Sequence, residues 1–180
     1  NDAARLGALG VVCIQGDLGD AEALNRAVAD VDVVLHFAAV TKARSESVYH
    51  RVNAEGTRAL VAAIQAARPR PRRLVYLSSL AAVGPARNGK PVGLHDQPQP
   101  LTAYGRSKLA GEEACRLLMD EIEVVMLRAP VVYGPRDRDF FLLFQLAMRG
   151  VFLMPTGAEG VLQLIHVHDL VAAVIRAATL

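Results

Sequence analysis

Tryptophan is absent from this 180-residue sequence, and aromatic residues make up only 5% of it. Cysteine is almost as scarce. Cys13 and Cys115 have neither the spacing of a metal site nor the density of a disulfide scaffold, which points to a reducing, cytoplasmic setting. Cys13 lies in a strand-like run and reads as a small core residue. Long apolar runs are also missing: Arg or Gln interrupts each one before it reaches the length of a membrane span, and no leader pattern opens the sequence. These features argue against a membrane partner. The first residue is Asn rather than Met, which we read as a processed or truncated start. Charge of one sign is lacking too. Twenty basic residues stand against 18 acidic ones, for a net +2, and they are scattered, so no nucleic-acid footprint emerges. The cluster Arg68, Arg70, Arg72 and Arg73 sits among prolines and reads as a solvated turn.

What the chain has is aliphatic bulk: 52% hydrophobic residues, dominated by Ala, Val and Leu. That suits one domain of ordinary size whose parallel strands are buried on both faces. The residues 10–17 (GVVCIQGD), 31–39 (VDVVLHFAA), 72–79, 123–129 and 161–167 read as strands. Between them lie amphipathic or capped helical segments: 21–29 behind Asp20, about 47–67, 102–119 behind Thr102, 140–150, and a last one capped by Asp169. Residues 84–101 are rich in Pro and Gly, with an Asn88-Gly89 turn signal, and read as a loop. There is no internal repeat. Strands alternating with helices predict an α/β, doubly wound parallel sheet. Ligands bind such sheets at the carboxyl ends of the strands. Gly16-Asp17, His36 to Ala39 and Ser78-Ser79 all fall at such ends, which suggests one shared crevice.

The stretch TAYGRSK (102–108) places Tyr104 and Lys108 four residues apart on one helix face, in a chain with only 4 Tyr and only three Lys. An ammonium near a phenol favours the phenolate, and such a tyrosine can exchange a proton with a substrate hydroxyl or carbonyl. A strand-end serine such as Ser79 could hold the same oxygen. Each feature also has a plainer reading. Ser78 and Ser79 could simply end a strand, and Asn53 could be a helix-packing amide. His36 reads as satisfying backbone groups. His166 and His168 share one strand face, but no third ligand at metal-site spacing accompanies them, so no metal is expected. Arg136, Asp137 and Arg138 read equally as substrate contacts or as a solvated turn.

Taken together, GDL (16–18), LHFAA (35–39), VNAEGT (52–57), VYLSSLAAVG (75–84), AYGRSK (103–108), RAPVVYGPRD (128–137) and IHVHDL (165–170) carry a family resemblance. In this order and spacing, the chain resembles the extended short-chain dehydrogenase/reductases of the NAD(P)-dependent epimerase/dehydratase type. SSLAAVGP and VVYGPRDRD look most like the branch of 3β-hydroxysteroid dehydrogenase-like and dihydroflavonol reductase-like proteins.

The resemblance implies a Rossmann-like fold with NAD or NADP as cofactor. It implies Tyr104 as general acid/base, Lys108 as ribose ligand and modulator of Tyr104, and Ser79 rather than Ser78 as the group polarising the substrate oxygen. Val83-Gly84 departs from the family's aromatic-Gly pair that anchors this choice of serine. Asp17 and Leu18 would touch the adenine, and Ala38 and Ala39 the phosphate-ribose region. Pro130 to Tyr133, Val132 among them, would flank the nicotinamide, and Asn53 would support the site. The substrate would be a small molecule resembling a nucleotide-sugar, sterol or flavonoid, and the resemblance leaves room for a homodimer.

No Gly-x-x-Gly-x-x-Gly precedes Asp17. The expectation is therefore a partial NAD(P)-binding domain over 1–180 that lacks the family's first β-α-β unit. The substrate region would begin at about 134–160, with most of it missing. Two hypotheses stand: an oxidoreductase or epimerase, and a non-catalytic nucleotide-binding or interaction module of the same fold.

Overall fold

A computed structural model describes residues 2–86, 91–151 and 162–180. Three parallel strands, β1 (Val33–His36), β2 (Arg73–Ser79) and β3 (Glu123–Ala129), form one sheet in the order β1-β2-β3. Their register pairs Val33 with Arg73 and Arg73 with Glu123, so the three amino ends are level. A second parallel pair joins β4 (Val131–Tyr133) to β5 (Leu164–His166). The expected α/β parallel architecture is present.

Helices form the connections. Helix α1 (Asp2–Gly7) has no counterpart in the sequence reading. Helix α2 (Ala21–Val28) starts at Asp20, whose carboxylate accepts from Ala23 N at 2.9 Å, as expected of an N-cap. The segment expected over 47–67 is one continuous rod made of α3 (Glu46–Tyr49), a π-helical turn over His50–Glu55, and α4 (Gly56–Ala66). Helix α5 (Ala103–Arg116) opens at Thr102, which accepts from Gly105 N at 3.0 Å. Helices α6 (Arg138–Met148) and α7 (Val167–Thr179) complete the set.

The main core lies between β2 and helices α2, α4 and α5. Leu24, Val28, Leu60, Val61, Ile64, Leu74, Tyr76, Cys115 and Leu118 pack there. Leu74 and Tyr76 alternate with Val75, which is also fully buried, so β2 is covered on both faces. This explains its run of consecutive apolar residues over 74–77.

Several expectations need correction. Residues 10–17 form no strand: Val12 is 86% exposed, and Cys13 is exposed rather than a core residue. A strand needs a partner's backbone groups, and no described residue offers them to this run. The strand read over 31–39 is short and half exposed, with Leu35 and Phe37 open, because β1 is the edge of its sheet. The last helix is capped by His166, not Asp169: His166 Nδ1 accepts from His168 N at 3.3 Å. His168 therefore lies in a helix, and the shared strand face with His166 does not exist. The arginine cluster is only partly a solvated turn. Arg73 is buried against Glu123 and donates to Ala177 O at 3.0 Å. Arg68 and Arg70 hold carbonyls at the end of α4. The Asn88-Gly89 turn signal lies outside the described residues, and so does part of the region expected at 134–160.

Candidate active site

The carboxyl ends of β1, β2 and β3 open onto a cleft of about 170 Å³. Phe37, Ala39 and Thr41 form its wall after β1, Leu77, Ser78 and Ser79 its wall on β2, and Ala129, Pro130 and Val132 its wall after β3. Tyr104 and Lys108 reach it from α5. A larger, shallow depression of about 380 Å³ lies at the opposite ends of β2 and β3. There Arg70 pairs with Glu121, and the geometry is that of a helix end rather than a ligand site.

Local sequence explains how α5 reaches the cleft. Gln99 N donates to Val83 O at 2.8 Å, which closes the Pro/Gly loop at its base and brings Thr102 back beside β2. A Cβ on Gly105 would sit 2.2 Å from Ala81 O, and one on Gly111 would sit 2.2 Å from the Tyr76 hydroxyl. Glycine at both positions lets the helix lie flat on the strand end, with Tyr104 over the serines.

The two serines have different tasks. Ser78 is buried and donates to Glu112 Oε1 at 2.6 Å. Ser79 is half-buried, accepts from Ala81 N at 3.1 Å, and lines the cleft beside Tyr104. Burial pushes the Tyr104 phenol above its ordinary pKa. The Ser79 hydroxyl works the other way, and the nearby Tyr49 phenol adds to the rise. This differs from the expected lowering by Lys108. The Lys108 ammonium instead lies 4.2 Å from the centre of the Tyr76 ring, a cation–π contact inside the protein. Lys108 is 2% exposed, and burial brings its pKa down from 10.5 to about 8, against the opposing influence of Cys115 and Glu112.

Asn53 is buried in the π-helical turn. Its amide donates to Val40 O at 3.0 Å and Ser107 Oγ at 2.9 Å, and its carbonyl accepts from Val40 N at 2.8 Å. It thereby pins the loop after β1 to α5 without lining the cleft. Tyr49 assists by accepting from Ala43 N at 3.0 Å and packing edge-on to Tyr104, ring centres 6.0 Å apart. His36 is held by Thr57 at 2.9 Å, a side chain rather than the backbone groups expected. Burial and the Lys108 charge bring its pKa down to about 4.

Of the residues singled out in the sequence, Ser79, Tyr104, Lys108, Ala39, Pro130 and Val132 come together around the cleft. Asp17, Leu18 and Ala38 do not line it. Asp17 is exposed and accepts from Gly19 N at 2.7 Å, Leu18 packs on Gly56, and Ala38 faces solvent. Tyr133 turns toward Phe140, Phe144 and His166, its ring centre 5.2 Å from that of His166. The sequence reading missed Glu112 and Arg128. Their signal was present: Glu112 continues the Tyr104–Lys108 face by one more turn, and Arg128 is a charge inside an otherwise aliphatic strand.

The profile of the NAD dependent epimerase/dehydratase family matches residues 2–180. The chain belongs to that family. It is 35% identical over 167 residues to a ceramide reductase of Caulobacter vibrioides, covering 93% of this chain and 47% of that protein. It is 30% identical to N-acetyl-alpha-D-glucosaminyl-diphospho-ditrans,octacis-undecaprenol 4-epimerase of Escherichia coli O157:H7, covering 87% of this chain and 48% of that one. Among solved structures, MoeE5 in complex with UDP-glucose and NAD superposes with a TM-score of 0.79 at 31% identity. That match covers 93% of this chain and 58% of the other. The chain spans about half the length of the curated relatives it matches.

Proposed function

We propose that the protein is an NAD(P)-dependent oxidoreductase or epimerase acting on a secondary alcohol or carbonyl of a small molecule. The observation that carries this reading is the meeting of Ser79, Tyr104 and Lys108 on the walls of one strand-end cleft. The groups present fit the nicotinamide end of the cofactor. Apolar walls from Leu77, Ala129, Pro130 and Val132 suit a flat ring, and the ammonium of Lys108 can donate to ribose hydroxyls. When bound, the dinucleotide supplies the hydride chemistry. Tyr104 carries its phenolic proton at neutral pH, as an ordinary tyrosine does, and stands where it can give that proton to a carbonyl oxygen. Ser79 adjoins Tyr104 and can hold the same oxygen in place.

Substrate class follows the relatives only broadly. MoeE5 was solved with UDP-glucose, and the two curated relatives are named for ceramide and for a diphospho-undecaprenol-linked sugar. A nucleotide-sugar or a lipid-linked alcohol is the class to assay first, beside sterol-like and flavonoid-like alcohols.

The test is turnover of the full-length protein, followed by dinucleotide absorbance. Tyr104→Phe is expected to lower kcat by at least about 100-fold, the scale for loss of a positioned acid/base, with little change in cofactor affinity. Near-normal turnover in that variant would remove Tyr104 from its role.

A further inference from the structure

We infer that Glu112 is a positioning residue for this site, fixing where Ser79, Tyr104 and Lys108 stand relative to one another. The inference rests on the reading of the site given above. Glu112 lies on α5, four residues after Lys108 and eight after Tyr104, so the three share one helix face. Its carboxylate is fully buried. Oε1 accepts from Ser78 Oγ at 2.6 Å and from Arg128 Nε at 2.9 Å, and Oε2 accepts from Arg128 Nη2 at 2.7 Å. Ser78 and Arg128 are register partners on β2 and β3, one rung before the Ser79–Ala129 pair at the cleft. One carboxylate thus ties the ends of two strands to the helix that carries the tyrosine and the lysine.

A merely stabilising role explains this arrangement poorly. A buried ion pair is often matched or surpassed in stability by apolar residues of the same volume, so its presence points to position or charge. Charge has an evident recipient. The groups facing Lys108 are the Tyr76 ring from β2, His36 from β1, and Cys115 and Glu112 from its own helix. Cys115 and Glu112 both work against the burial that lowers the ammonium's pKa, and Glu112 is the one that also ties α5 to the strand ends. The carboxylate itself stays ionised: burial raises its pKa, but hydrogen bonds from Arg128 and Ser78 and the charges of Arg128 and Arg116 bring it below the ordinary value.

The sequence contains only three lysines, so Lys108 can be followed directly by NMR of lysine labelled with ¹³C at Cε. Glu112→Gln keeps an acceptor for Ser78 but removes the charge and leaves Arg128 unpaired. Lys108 is then expected to titrate lower than in the parent chain, by roughly half a pH unit or more. Glu112→Gln combined with Arg128→Met removes both charges and should fall between the two. In the full-length protein, Glu112→Gln should lower kcat with KM little changed and move the basic limb of the pH–rate profile in the same direction. An unchanged Lys108 titration in whichever variant folds overturns the inference. The titration reads Lys108 without turnover, so it stands apart from Tyr104→Phe, whose failure would strike the proposed function instead.

Discussion

Lys108 shows what the site costs the fold. Its ammonium is enclosed, and burial lowers its pKa from 10.5 in the unfolded chain to about 8 in the folded one. Between those values the unfolded chain binds more protons, so folding stability rises with pH from about 8 to 10.5, and the penalty is fully present below about 8. His36 behaves alike at lower pH: its pKa falls from 6.5 to about 4, so stability is lost as pH falls through that window. A buried lysine that destabilises the fold at neutral pH, in a strand-end cleft, has the signature of a functional group. Lys108→Met is therefore expected to raise the melting temperature at pH 7 and to flatten the gain in stability between pH 8 and 10.5. Thermal denaturation across that range checks it. A variant less stable at pH 7, with the pH dependence intact, would make Lys108 an ordinary structural cation.

At the scale of elements, α5 is the one on which the site depends, and its fit to β2 rests on glycine. An alanine at Gly105 would gain about 1 kcal/mol of helix propensity. It would also place a methyl 2.2 Å from a backbone carbonyl that cannot rotate away, where overpacking typically costs about 1–3 kcal/mol. The clash outweighs the propensity. Gly105→Ala should be destabilised by up to about 2 kcal/mol in a denaturant titration, with α5 displaced from Ser79. Equal or higher stability would show that the helix has room to shift. The sequence makes α5 legible because Thr102 caps it, and β2 and β3 legible because each is built on a run of consecutive apolar residues, 74–77 and 124–127. The π-helical turn over His50–Glu55 has no comparable signature in the sequence, although it holds Asn53 where its amide meets Val40 and Ser107. Tyr104 and Lys108 were legible as a pair from their spacing, and the choice of Ser79 over Ser78 came with the family resemblance. Glu112 and Arg128 left a fainter signal, a further turn of the same helix face and a charge within a strand, and their pairing shows only once β3 is laid beside β2.

For the whole molecule, the feature with the greatest functional weight is the open flank of β1. Its second edge has no partner among the described residues, and the run at 10–17, strand-like in pattern, is exposed beside α2 instead. Extended short-chain dehydrogenase/reductases resemble this chain elsewhere, but the glycine-rich turn whose helix N-terminus receives a pyrophosphate does not occur before Asp17. The cleft agrees. Its volume of about 170 Å³ lies below the range of about 300–1,000 Å³ usual for ligand pockets. A cleft of that size has room for one end of a dinucleotide only. Each charge-assisted hydrogen bond lacking at the phosphates forgoes about 1.5–3 kcal/mol. The 180-residue chain should therefore bind NAD(H) and NADP(H) no better than about millimolar. Isothermal titration of both dinucleotides into the purified chain measures this directly. Micromolar affinity there would show that a described segment, such as the loop over 37–41 pinned by Asn53 and Tyr49, holds the phosphates itself, and the search for the anion site would then move to that loop.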